Sequence, residues 1–328
     1  MQRALVTGIT GQDGSYLAEL LLDEGWEVHG TVRPGGTDGA ALWRLTGVRD
    51  RLRLHPVDLL DLGALAALVR ELAPDECYHL TGTRKPIADA REEAALLEGA
   101  IATTHTLLAS LQAARPDAAF LFAASSEMFS PDAPAPQDET TPLEPRTIYA
   151  IAKVAGLHLA RHYREARHLR ACSAILFNHE SPRRGAEFVT RIISSGVARI
   201  ALGLERRLVL GDLEARRDWG HARSYARGMR RMLLQAHPQE LVLATGRPHS
   251  VGEFVEAAFS HVGLDWRAHV EVDPSIPRAA RAGLVGNPAR ARDVLGWSDD
   301  VPFQQLVAEM VDADLTAAQH LTAAGATR

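Results

Sequence analysis

The chain has 328 residues, 46% of them apolar and 23% charged, and a net charge of −5. This is the composition of a folded globular protein, and its negative balance excludes a general nucleic-acid binder, so any anionic ligand needs a local basic site. The only cysteines, Cys77 and Cys172, lack metal-ligand spacing and read as buried free thiols, and no run of about 18 apolar residues or leader-like start is present, so we expect a cytoplasmic protein without a metal or a membrane partner.

In chain order, strand and helix signals alternate through the first half. Residues 3–8 (RALVTG) are a short apolar run ending in glycine, and 15–25 (SYLAELLLDEG) have helical spacing up to a glycine suited to a C-cap. A second strand is predicted at 27–32, before a loop with Gly35, Gly36 and Gly39. A third starts at 52 and leads to an N-cap aspartate at 61. Residues 76–82, 118–126 and 170–178 read as buried strands, with helices between them, including 147–166. This predicts an α/β fold with a Rossmann-type, doubly wound parallel sheet.

Past residue 180 the pattern changes. Arginines cluster at 181–191 and 214–223, 241–246 reads as another strand, and 250–263 as an amphipathic helix. We expect a Rossmann domain of residues 1–177, rejoined by 212–247. The remaining segments, 178–211 and 248–328, would form a smaller substrate-binding lobe over the carboxyl ends of the strands.

The first strand runs into TGITGQDGSYLAE, with Gly8, Gly11 and Gly14 three apart. Glycines let a backbone turn tightly and approach a pyrophosphate, while the following helix turns its positive end to the ligand. The order strand, glycine triplet, helix therefore predicts a dinucleotide site. No acid stands at the end of the second strand to bind an adenosine ribose; Arg33 stands there instead and suits a 2′-phosphate. NADP is the expected cofactor rather than NAD, with Asp58 and Leu59, after the third strand, bordering the adenine.

Tyr149 and Lys153 are one turn apart on a predicted helix and share a face. A phenol ionises at about pH 10, and a neighbouring ammonium and a cationic nicotinamide both favour the phenolate, which makes Tyr149 a base. Ser125, at a strand end, can hydrogen-bond the same substrate hydroxyl. Glu127 beside it suggests a second proton transfer, which a simple dehydrogenase does not need.

Together, TGITGQDGSYLAELLL, SSEMF, YAIAK, FNHESPRRGAEFVTR, LGDLEARRDWGHA and LATGRPHSVGEF, in this order over most of the chain, resemble the GDP-mannose 4,6-dehydratase family of extended short-chain dehydrogenases/reductases. The resemblance implies an internal redox dehydration. Tyr149 takes the C4 hydroxyl proton of the sugar, and Glu127 removes the C5 proton and helps expel the C6 hydroxyl. Ser125 stands where the family usually has Thr, and Ser126 beside it contacts substrate. The resemblance further assigns Gln12, Asp13, Leu80, Thr81, Gly82, Arg84, His179 and Arg184 to the cofactor, together with Lys153. Asn178, Val189, Arg191, Arg217 and Arg278 fall to the base and diphosphate of a sugar nucleotide, GDP-hexose above all. It also implies pairing of helices 93–113 and 147–166 with those of a second copy, a homodimer.

The chain departs from the family pattern in four places. Arg84 and Lys85 replace a small Ser and its neighbour; they either hold an extra anionic group or obstruct the usual sugar. Pro34 follows Arg33 where the family has paired arginines, which speaks against the family's tetramer. Ala280 falls where an acid binds the nucleotide ribose, with the arginine shifted to Arg278, and Ile192 replaces a Lys. These touch substrate groups more than Tyr149, Lys153 or Glu127. Another sugar nucleotide, or an epimerase or 4-ketoreductase of the same fold, is therefore the competing expectation. A non-catalytic NADP-binding protein would be expected to lose the Tyr or the Lys, and both are present.

Overall fold

The computed structural model describes residues 1–36, 39, 41–82, 89–276 and 283–325. Seven strands form one parallel sheet: β1 (Arg3–Thr7), β2 (Glu27–Val32), β3 (Arg53–Pro56), β4 (Glu76–His79), β5 (Ala119–Ser125), β6 (Arg170–Leu176) and β7 (Leu241–Leu243). Their spatial order is β7-β6-β5-β4-β1-β2-β3, the doubly wound arrangement expected from the alternation. All four residues of β4 and all but the last of β5 are buried, as a sheet covered on both faces requires.

Helices α1 (Gln12–Asp23), α6 (Ala222–Leu233) and α8 (Ala289–Leu295) cover one face, where Leu17, Leu21, Met229, Leu295 and Trp297 join Val6, Val28 and Leu121 in one core. Helices α2 (Leu62–Leu72), α3 (Ala90–Ala114) and α4 (Ile148–Arg167) cover the other, packing Leu65, Leu107, Leu111 and Leu157 on Leu5, Phe120 and Phe122. The third core lies off the sheet: α5 (Val189–Ala201), α7 (Val251–His261) and α9 (Phe303–Gly325) enclose Ile193, Val197, Phe254, Leu306 and Met310.

Local chemistry fixes the helix ends. Gly25, at φ 82°, closes α1 with Trp26 N–H donating to the Leu21 carbonyl and Gly25 N–H to that of Leu22. Asp61 caps α2 through the Ala64 N–H, and Thr147 caps α4 through the Ala150 N–H.

One helix differs from the sequence count of unbroken apolar runs. By length and composition α3 could cross a membrane, yet it lies against α2 and α4 with Thr103, Thr104, Leu107 and Leu108 buried. Only 28% of its most apolar stretch is covered.

The segment before α8 is tied to the end of β7 by Asp218, fully buried at the end of the short strand Arg216–Asp218. Its carboxylate accepts from the Thr245 N–H and hydroxyl, the Gly246 N–H and the Gly286 N–H, at 2.6–3.1 Å. Three stretches distant in sequence thereby converge on one side chain.

Candidate active site

The glycine turn between β1 and α1 leaves no room for side chains. Gly8 has φ 76°, and a Cβ there would press on Thr81 and the Leu80 carbonyl carbon at 3.2–3.3 Å. A Cβ on Gly14 would overlap the Gly8 carbonyl oxygen. Ile9 folds back onto β2, where only the missing side chain of Gly30 admits it. Gly11 starts α1 in an extended conformation without a side-chain cap, so the first-turn amides have no local acceptor from the capping residue. A cradle of this shape at a helix N-terminus fits a dinucleotide pyrophosphate.

Around it, Leu80, Thr81 and Gly82 follow β4, with Leu80 N–H donating to the Thr7 carbonyl. Arg33 is exposed just past β2, in a turn closed by Gly36 N–H on its carbonyl. Asp58 is exposed and accepts the Leu60 N–H, and Leu59 beside it is half-buried.

Tyr149 and Lys153 project from the first two turns of α4. The Lys153 ammonium is buried, donates to the carbonyls of Ala123 (2.7 Å) and Thr81 (3.1 Å), and lies 5.7 Å from the centre of the Tyr149 ring. Burial lowers its pKa to about 8, against the opposing charge of Asp13. Gly82 completes the contact: a Cβ there would come within 3.1–3.3 Å of Lys153 Nζ and the Tyr149 ring. At the end of β5, the Ser125 hydroxyl accepts the Glu127 N–H at 3.2 Å and starts the 3-10 turn Ser126–Met128, which packs on α4. Ser126 is buried, while Ser125 and Glu127 are partly exposed. An acid, two hydroxyls, a phenol and an ammonium thus lie at the end of β5, on the turn that follows it and on the helix that touches both, a set suited to successive proton transfers.

A second cluster faces the glycine turn. His179 Nε2 and Asp13 Oδ1 are 2.9 Å apart, His179 Nδ1 is 2.6 Å from the Phe177 carbonyl, and the ring stacks on Tyr225. Burial opposes charge on both partners, yet each holds the other ionised: the Asp13 pKa falls below its ordinary value and that of His179 rises. Gln12 donates to the His179 carbonyl and accepts from Ser181. Arg184 pairs with the buried Glu180 and stacks on Phe188. Asn178 is partly exposed and its carbonyl accepts the Gly220 N–H.

Of the residues expected at the diphosphate, Arg191 is already engaged, with Nε and Nη2 on Asp314 and Nη1 on the carbonyls of Pro182 and Arg184. Val189 is exposed at the start of α5, and Arg217 donates to the Arg216 carbonyl in the strand that holds Asp218. Arg84 and Arg278 lie outside the described residues.

Sequence reasoning missed two residues here. His79, buried behind the glycine turn, is within 2.7–3.1 Å of the hydroxyls of Thr7, Thr81 and Thr104, and burial followed by the Lys153 charge lowers its pKa to about 3. Its signal was a polar residue in the last position of a buried strand. Arg44 donates to the carbonyls of Arg183 (2.7 Å) and Thr10 (3.3 Å), and nothing in its sequence context marks it.

A sequence model of the family described as GDP-mannose 4,6 dehydratase matches residues 5–310. The chain belongs to the GDP-mannose 4,6-dehydratase family. GDP-mannose 4,6 dehydratase 1 of Arabidopsis thaliana is 42% identical, the match covering 96% of this chain and 90% of that protein. The Homo sapiens enzyme is 40% identical over 95% and 91%. Among solved structures, RMD from Pseudomonas aeruginosa complexed with NADPH superposes with a TM-score of 0.79 at 24% identity, over 96% of this chain and all of that one. The dTDP-glucose 4,6-dehydratase of Bacillus anthracis in complex with NAD does so with a TM-score of 0.82 at 17% identity, over 97% and 98%. Both share the fold.

Proposed function

We propose that this chain is a GDP-mannose 4,6-dehydratase, converting GDP-mannose to GDP-4-keto-6-deoxymannose with NADP as a cofactor regenerated in each turnover. Glu127 carries the reading: a carboxylate on the 3-10 turn that packs against the helix of Tyr149 and Lys153, on a chain of this family. Epimerisation and ketone reduction have no elimination step for that acid to serve.

The glycine turn, Gln12, Asp13, Arg33, Asp58, Leu59, Leu80 to Gly82, Lys153, His179 and Arg184 would hold the cofactor. When bound, NADP supplies the acceptor for the C4 hydride and later its donor to C6. The chain's own side chains move the protons. Tyr149 Oη takes the C4 hydroxyl proton while Lys153 stabilises the phenolate and Ser125 Oγ orients that hydroxyl. The C4 ketone acidifies the C5–H, the Glu127 carboxylate removes that proton and delivers one to the leaving C6 hydroxyl, and the proton held on Tyr149 returns to C5, which restores the phenolate. Ser126, Asn178, Val189 and Arg217, with Arg278, would bind the nucleotide portion. Arg191 would reach a diphosphate by exchanging the Asp314 carboxylate for it.

The same reading makes residues 1–177 with 212–247 the NADP-binding unit and 178–211 with 248–328 the substrate lobe. It takes the protein as a cytoplasmic homodimer paired through α3 and α4, whose outer faces expose Ile101 and Ile151.

Mass spectrometry of purified protein with NADP+ and a panel of GDP-, UDP-, dTDP- and CDP-hexoses tests the function. Loss of one water from GDP-mannose without net NADPH is expected. Loss of water from a different sugar nucleotide would reassign the substrate, and no reaction with any of them would overturn the dehydratase reading. Glu127→Gln should keep NADP+ affinity and lose about 100-fold or more in turnover, the range of a removed general acid–base. Full activity in that variant would remove Glu127 from the mechanism.

A further inference from the structure

We propose that Arg44 is the second cation of the 2′-phosphate site, replacing the arginine that the chain lacks beside Arg33. The inference rests on the reading of the cofactor as NADP. Arg44 belongs to the 3-10 turn Trp43–Leu45 in the β2–β3 connection, which packs on α1 through the buried Leu42 and Leu45. From there its guanidinium spans two segments of the proposed cofactor cleft. Nη1 donates to the carbonyl of Thr10 in the glycine turn, and Nε to that of Arg183 in the segment after His179.

Its position relative to β2 follows from Ile9. That side chain lies directly on Gly30 of β2, so the glycine turn to which Thr10 belongs packs on the strand whose carboxyl end leads into Arg33. A doubly wound fold puts the adenosine ribose there, and an arginine nearby is what receives a 2′-phosphate.

The charge balance agrees. Arg183 pairs with Glu19, Arg184 with Glu180 and Arg191 with Asp314. Arg44, half-buried among them, has only carbonyl acceptors among the described residues. Burial and then the Arg191 charge make it less basic than usual; the Glu187 carboxylate opposes this, and Arg183 and Arg184 add to it, so cations outnumber acids around it. An anion inserted there gains a planar donor fork already held in place.

Calorimetric titration of the full-length protein, with no turnover involved, separates this role from a structural strut. The probes are NADP+, NAD+, 2′,5′-ADP and 5′-AMP, against wild type, Arg44→Ala and Arg44→Gln, the last keeping an amide donor for the two carbonyls. Both variants should lose about 10-fold or more in affinity for NADP+ and 2′,5′-ADP, the value of one charge-assisted hydrogen bond. NAD+ and 5′-AMP should bind as in wild type, with the melting temperature of Arg44→Gln unchanged. Equal losses for all four probes would make Arg44 a strut or a pyrophosphate contact and overturn the proposal, as would no loss in either variant. Should the wild type itself not prefer NADP+ over NAD+, the NADP reading fails, and this inference with it.

Discussion

Lys153 has few alternatives open to it. Its ammonium is buried and bound to two carbonyls, in a place where no solvent supports the charge, and its lowered pKa records that cost. The neighbouring Asp13 carboxylate is shared with His179, and that pair sets a pH-dependent stability. The Asp13 pKa is lowered on folding, so its contribution is present above the ordinary carboxylate range and lost as pH falls through the folded value. The His179 pKa is raised, so its contribution is complete below 6.5 and lost as pH rises through the folded value. Urea midpoints of the wild type should therefore fall on the alkaline side of 6.5. Asp13→Asn should flatten that slope and cost about 1.5–3 kcal/mol between the two pKa values; an unaltered slope would refute the coupling. The sequence singled out both residues, through the resemblance, as cofactor contacts. Their pairing stayed hidden because 166 positions separate them, as 123 separate Arg191 from Asp314. Local pattern carries no information about such partners.

The helix that bears Tyr149 and Lys153 is placed by two small features of its own sequence. Thr147 starts it, which fixes both residues in the first turns. Gly156, two turns from the Tyr, lets it lie against β5, since a Cβ there would overlap the Phe122 ring. Gly156→Ala gains about 1 kcal/mol of helix propensity and incurs about 1–3 kcal/mol of overpacking. We expect a net loss of stability by chemical denaturation and a turnover reduced more than substrate affinity, because α4 must shift. A rise in stability with full activity would show that the ring moves aside instead. Strand and helix order was readable in the sequence because apolar runs and capping residues are local signals: the predicted 147–166 helix is found at Ile148–Arg167, and the predicted Asp61 cap is made. The two-residue ladder between His179–Glu180 and Gly220–His221 was not readable, being too short to impose a period.

On the outer surface of α3 and α4, Ile101 and Ile151 are exposed, and only 28% of the most apolar stretch of α3 is covered. A soluble monomer rarely leaves a long apolar helix so open, which supports the proposed pairing of two copies there. Ile101→Asp should yield a smaller particle in sedimentation velocity at micromolar concentration, with the far-ultraviolet circular dichroism kept. An unchanged sedimentation coefficient would place the interface elsewhere or make the wild type a monomer.

The path of the chain has a further consequence. It leaves the sheet after β6, returns as α6 and β7, and returns again as α8, and Asp218 gathers amides from both later crossings. Nothing in this layout lets the proposed substrate lobe be exchanged as a single cassette. A chimera that borrows another family member's lobe needs matched splice points at each crossing. Three of the four donors to Asp218 are backbone amides, so a splice between residues 218 and 286 must keep the amides of 245, 246 and 286 in register with an acid at 218.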